Sequence, residues 1–218
     1  MRRSVPRWVL FSSACAPILL VGGWAISAVL QGPDYDHASR TISTLGSRGA
    51  DGYWVMTPAL IALGACHVIT ACGLRSAALP GRVALGGGGV SAMLLVPFPA
   101  PNSGGSLDHG AVVAVGFSLL AVWPVLAVRR GAAAPGGVSG RLPTAAPLGR
   151  SAPWGLRPGP SLMASVLMWL GGGWFLMALF VHDTAGAAER VLTFAQSFWP
   201  LVVVVSCVRQ DDRDEEPA

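Results

Sequence analysis

Three times in this chain a histidine stands beside an aspartate: Asp36–His37, Asp108–His109 and His182–Asp183. Imidazole changes charge near neutral pH, which suits it to proton transfer and to metal binding. Three imidazoles from separate elements can hold a catalytic zinc and leave one position for water. The carboxylates would then orient the rings or serve as general base. Without a metal, a His–Asp pair can activate a hydroxyl as a nucleophile, and Ser39, Thr41, Ser43 and Thr44 follow His37 closely. A second set, Glu189, Thr193 and Gln196, falls at i, i+4 and i+7 and so shares one helical face. The candidate catalytic residues are therefore Asp36, His37, Asp108, His109, His182 and Glu189. Ser43, Thr193 and Gln196 are the candidate substrate-binding residues. No HExxH or CxxC spacing fixes a metal set, and the sequence names no cofactor. A plainer reading competes: Asp108 as a helix N-cap, His182 at a helix C-terminus, and polar rings at lipid head-group depth.

The elements that must carry these residues are membrane helices. Of 218 residues, 52% are apolar and only 12% charged, against about a quarter charged in soluble domains. Six apolar segments, about 8–30, 54–74, 82–99, 109–128, 162–182 and 191–208, approach the roughly 20 residues that cross a bilayer. The expected fold is all-α, a polytopic bundle of six transmembrane helices. The first segment is longer than the roughly 7–15 apolar residues of a signal peptide, so it reads as a retained span. The third is the weakest, diluted by Gly86 to Gly89.

All fifteen basic residues are arginine, and twelve of them fall in the N-terminus, the 75–82 loop, the 129–160 segment and the C-terminal tail. Only Arg40, Arg48 and Arg190 lie on the other side. The positive-inside rule therefore places both termini in the cytoplasm of a cell-membrane protein. The His–Asp pairs and Glu189 then gather at the extracytoplasmic rim. His67, well inside the second span, falls in the opposite leaflet and reads as a packing residue. The net charge of +4 is dispersed over helix ends and forms no patch for nucleic acid. Membrane lipids are the expected partners.

Residues 129–160, rich in Gly, Ala and Pro with no apolar periodicity, read as a flexible cytoplasmic linker between two three-helix halves. Residues 209–218 read as an acidic, solvated and disordered cytoplasmic tail. Glycine clusters at 22–23, 86–89 and 171–173 predict close helix packing. All four cysteines fall in the cytoplasmic halves of their spans, so no structural disulfide is expected.

Three segments, "YDHASRTISTLGSRGADGYW", "FPAPNSGGSLDHGAVVAVGF" and "GAAERVLTFAQSFWPLVVV", resemble the prokaryotic membrane family called domain of unknown function 998. The resemblance runs over nearly the whole chain except the linker and the tail. It implies a six-helix membrane bundle and supplies no reaction. Two kinds of function stay open. One is a membrane enzyme acting on a lipid or isoprenoid by hydrolysis, group transfer or acid-initiated cyclisation, with Asp108 or Glu189 as the acid. The other is a non-enzymatic protein that binds lipid or a small molecule, transports it, or partners an assembly. The first needs the His/Asp groups around one cavity, whereas the second leaves them scattered on the rim.

Overall fold

Long apolar runs can satisfy their own N–H and C=O groups away from water only by coiling into helices. In a computed structural model, which describes residues 5–101, 104–129, 152–181 and 183–215, these runs are all helical and no strand occurs among the described residues. The helices are α1 (Arg7–Leu30), the single turn α2 (Ile42–Leu45), α3 (Tyr53–Gly73), α4 (Leu79–Leu94), α5 (Leu107–Leu126), α6 (Pro158–Val181) and α7 (Ala185–Glu215). A short 3₁₀ turn, Trp154–Leu156, precedes α6. Five of them, α1, α3, α5, α6 and α7, are long and apolar enough to cross a membrane. Their outward faces are apolar too: Leu170 of α6 is 65% exposed and Phe180 85%. A helix apolar all round belongs in lipid or in a large core, and the pattern fits a multi-pass membrane protein.

Among the described residues the long helices contact one another in the order α1, α3, α4, α5, α6, α7 and back to α1, which closes a ring. Helix α4 is wedged between α3 and α5. A methyl group placed on Gly89 would come within 2.6 Å of the Gly64 carbonyl oxygen, and one on Gly116 within 2.7 Å of Ser91 Oγ. The glycines that weaken the third hydropathy peak are thus what lets three backbones approach. The predicted packing role fails at Gly172 and Gly173, where an added methyl would meet nothing within 4 Å.

One end of the ring is sealed. Leu74, Leu85, Trp123, Val203 and Val204 have no exposed surface there. The 3₁₀ turn joins this plug: Leu156 is buried, and Gly155 N–H donates to Ser206 Oγ at 3.1 Å. The expected linker therefore ends early. Of its residues, 152–160 form an ordered turn and the start of α6, held by contacts with α7 that local composition does not reveal, and 130–151 lie outside the described residues. The disorder expected of the acidic tail is corrected for residues 209–215, since α7 continues through Glu215. No proline or glycine interrupts 201–215, and Gln210 Nε2 donates to Asp214 Oδ1 one turn on, at 3.3 Å. Helix α4 starts at Leu79, ahead of the expected 82, with Pro80 in its first turn, and ends at Leu94, where turns lead to Pro97 and Pro99.

The other end is covered by residues 31–52. Glycines at positive φ, Gly32 (86°) and Gly49 (91°), turn the chain in and out of this loop. Tyr35, Ile42 and Leu45 are buried beneath it against Leu20, Met56 and Leu63.

Candidate functional site

The loop is fastened by two consecutive residues of α7. Helix α2 starts after Thr41, whose own side chain makes no cap. The Glu189 carboxylate takes that place from another helix: it accepts the Ile42 N–H and the Ser43 hydroxyl at 2.8 Å. Unpaired N–H groups at a helix start favour such an anion. Arg190 catches the loop's carbonyls. Its Nη1 donates to His37 O at 2.8 Å, Arg40 O at 2.9 Å and Gly186 O at 2.8 Å. Its Nη2 donates to the Tyr35 hydroxyl at 2.8 Å, and its guanidinium lies over the Trp24 ring, 5.2 Å from the centroid. Ala187 N–H adds a backbone bond to Ala38 O at 2.9 Å.

Under the loop, inside the ring, is a cavity of about 80 Å³. Its walls are mostly apolar, with Ser43, His67, Ser91, His109, Glu189, Thr193, Gln196 and Ser197 as the polar exceptions. Several of these already have partners. Thr193 Oγ1 donates back to Glu189 O at 2.7 Å, and Ser91 Oγ to Val112 O at 2.7 Å. Gln196 Nε2 donates to Phe117 O at 3.0 Å. Of the cavity residues, two have a buried polar atom with no partner among the described residues, His67 Nδ1 and Gln196 Oε1. An unmet buried polar group costs about 1–3 kcal/mol.

Beside the cavity a groove of about 530 Å³ runs between α5 and α6. Ser43, Ala100, His109, Val113, Phe117 and Gln196 line both spaces. Thr41, Thr44, Ser106 and Ser118 add hydroxyls to the groove; the rest is apolar, with Met168, Trp169, Phe175, Leu176 and Leu179 along it, and its width comes from Gly110, Gly172 and Gly173. At about 300–1,000 Å³, ligand pockets of the usual kind are of this size. His109 stands where groove and cavity meet. A carbonyl oxygen can only accept, so the 2.9 Å contact with Phe98 O makes Nδ1 the donor and leaves Nε2 as the lone-pair nitrogen of the neutral ring.

The residues singled out in the sequence separate into two groups. Ser43, His109, Glu189, Thr193 and Gln196 come together around the cavity. Asp36, His37 and Asp108 do not line it. Asp36 is fully exposed and builds a local turn, accepting from the Ser39 hydroxyl at 2.6 Å and Ala38 N–H at 2.9 Å. These bonds, the Ser39 hydroxyl foremost, hold its carboxyl below the ordinary carboxylate range. The exposed His37 ring packs edge-on against Tyr35, with centroids 5.1 Å apart. Asp108 is exposed in the first turn of α5, capped by Ser106 rather than capping it, and borders a separate rim depression with Arg48. His182 lies outside the described residues. Among the described residues no three His, Cys, Asp or Glu side chains come close enough to hold a metal ion.

Two contributors escape a reading of the sequence alone. His67 lines the same cavity as Glu189, and its signal is present: an ionisable side chain within an apolar span faces the bundle interior by default. Arg190 stands out in the sequence only as Glu189's neighbour, and no spacing announces its set of carbonyl partners.

A family model described as "Protein of unknown function (DUF998)" matches residues 13–206, nearly the whole chain. No curated protein and no solved structure matches the chain.

Proposed function

We propose, for a chain that belongs to the DUF998 family, that it is a membrane enzyme which admits one lipid or isoprenoid chain through the α5–α6 groove and performs hydrolysis or group transfer on its polar end. The observation that carries this reading is a groove of about 530 Å³ that shares His109 and Gln196 with a cavity lined by Glu189 and Ser43. Glu189 is the acid–base group, Ser43 the hydroxyl it polarises, and His109 the second base through Nε2. Acid-initiated cyclisation has less support. Of the eight tryptophans, only Trp169 reaches the groove and none the cavity, which leaves Phe117 as the one phenyl or indole ring on the cavity wall to stabilise a cation. The bundle has six spans, with the sixteen residues of α4 as the short one, and both termini in the cytoplasm of the cell membrane. The site then faces the outer leaflet.

A non-enzymatic lipid-binding role is the second reading. It is favoured by the double use of Glu189 as a loop fastener, which leaves its carboxylate already engaged. One experiment separates the two. Purified protein in nanodiscs is incubated with a membrane lipid extract, and bound and altered lipids are identified by mass spectrometry. The enzyme reading expects a lipid consumed by the wild type and bound but unchanged with His109→Ala. Lipid bound and unchanged by both proteins supports the binding role, and no bound lipid defeats both.

A further inference from the structure

A second groove, at the sealed end of the ring, shares no residue with the cavity or with the α5–α6 groove. It lies along α7 where the 3₁₀ turn packs against that helix, and measures about 560 Å³. Its depth in the membrane follows from charge along the chain. Residues 191–208 of α7 carry no charge. At about 1.5 Å per residue they cover about 27 Å, close to the roughly 30 Å hydrocarbon core of a bilayer. Arg209 is the first charge beyond that run. Residues 158–181 of α6 are likewise uncharged, and Arg157 immediately precedes them. Two helices thus place a guanidinium at the same polar boundary.

Tertiary structure brings these two together and adds a third. Gly155 N–H is held on Ser206 Oγ at 3.1 Å, two residues before Arg157 and three before Arg209. Arg213 follows Arg209 by four residues, so the pair shares one helical face. Arg157, Arg209 and Arg213 all line the groove, and all three are exposed. Arg157 Nε is spent on Ala152 O at 3.0 Å, which leaves its two Nη groups. The acids nearest in sequence face elsewhere. Asp211 and Asp212 line a separate depression toward α1 with Arg7, and Asp214 accepts from Gln210. Among the described residues no carboxylate lines the groove.

Beyond the arginines the same face of α7 turns apolar. Val205, Val202 and Phe198 lie four, seven and eleven residues before Arg209, the spacing of one helical stripe, and all line the groove. From Arg209 to Phe198 is about 16 Å along the axis, which is about the depth of one leaflet's hydrocarbon. A guanidinium pairs with a phosphate through two parallel N–H bonds, so the cationic end and the apolar end suit the two ends of a phospholipid. A zwitterionic head group would also bring an ammonium, for which the groove offers three like charges and no carboxylate. A head group of net negative charge avoids that conflict.

We propose that this groove binds one anionic phospholipid of the leaflet at the sealed end, with its phosphate among Arg157, Arg209 and Arg213 and an acyl chain along Val205, Val202 and Phe198. By the division of arginines this is the cytoplasmic leaflet. The site is independent of the α5–α6 groove and of any reaction there.

The test titrates full-length protein in detergent at neutral pH with dioleoyl phosphatidylglycerol, dioleoyl phosphatidylcholine and the short-chain dibutyryl phosphatidylglycerol, with binding read by native mass spectrometry. The long-chain anionic lipid should bind roughly tenfold or more tightly than the zwitterionic one. Arg209→Gln with Arg213→Gln should bring it close to the zwitterionic level. Arg7→Gln with Arg75→Gln removes the same charge from the same end outside the groove and should change binding less than about twofold. If the groove double variant fails to fold, Arg157→Gln replaces it and should weaken the anionic lipid several-fold. Equal binding of the two dioleoyl lipids by the wild type would overturn the proposal. Equal weakening by the two double variants would overturn the site, since it would mean attraction by the whole charged end. Short-chain lipid binding as tightly as long-chain lipid would overturn the role of the apolar stripe and identify the groove as a site for free phosphate esters.

Discussion

At the scale of the residue, Glu189 and Arg190 show how one dipeptide can organise a loop. The carboxylate satisfies donors at the start of α2 and the guanidinium satisfies acceptors just before it. Neither side chain could do the other's work, since a carboxylate only accepts and a guanidinium only donates. Glu189→Ala leaves the Ile42 N–H and the Ser43 hydroxyl without their partner. It should destabilise the protein by roughly 2 kcal/mol, within the range for buried donors left unmet. Glu189→Gln keeps an acceptor oxygen and should recover about half of that loss. Thermal unfolding in detergent measures both. Equal melting temperatures for wild type and Glu189→Ala would show that the loop is held by Arg190 and packing alone. A second readout separates fastening from chemistry: if Glu189 is the acid–base group, Glu189→Gln binds lipid but does not turn it over.

At the scale of the element, the same residue type does opposite things. Gly89 on α4 lets the backbone of α3 approach, whereas Gly172 on α6 keeps a groove open toward α5. Gly89→Ala would push a methyl to 2.6 Å from the Gly64 carbonyl oxygen and 2.9 Å from His67 Cβ. The helices must part, at a cost of about 1–3 kcal/mol. Gly172→Ala meets nothing within 4 Å and replaces a poor helix former with the best one. It should be neutral or stabilising. Melting curves of the two variants side by side check this, and a destabilising Gly172→Ala would mean that α5 and α6 close on each other in the membrane.

At the scale of the whole molecule, the ring has one plugged end and one end roofed by a fastened loop, with a groove along the α5–α6 seam. On the proposed reading, the lipid chain enters along this flank rather than along the axis. Which leaflet it serves depends on orientation, for which the twelve-to-three division of arginines is the guide. In a variant with the four native cysteines replaced, a membrane-impermeant maleimide should label Arg48→Cys in intact cells and label Arg141→Cys only after lysis. Labelling of Arg141→Cys from outside would invert the topology and move the site to the cytoplasmic leaflet.

The sequence by itself determined the helical membrane class and the place of each polar group along its helix, because both follow from local quantities. Apolar run length sets a helix, and a rise of about 1.5 Å per residue sets how far along it each side chain sits. Direction around the ring is not a local quantity. His37 and His109 share a predicted depth, yet one packs on Trp24 and Tyr35 at the surface and the other stands at the mouth of the cavity. His67, assigned to the opposite leaflet, lines the same cavity as Glu189 because that cavity extends down the bundle axis. The glycine clusters read alike in sequence, and only their neighbours made one a close contact and the other a groove. The ordered turn at 154–156 depends likewise on a partner, Ser206, fifty-one residues away from Gly155. Tertiary structure decided these features because each depends on what the facing helix presents, and a single helix's own sequence does not record its neighbour.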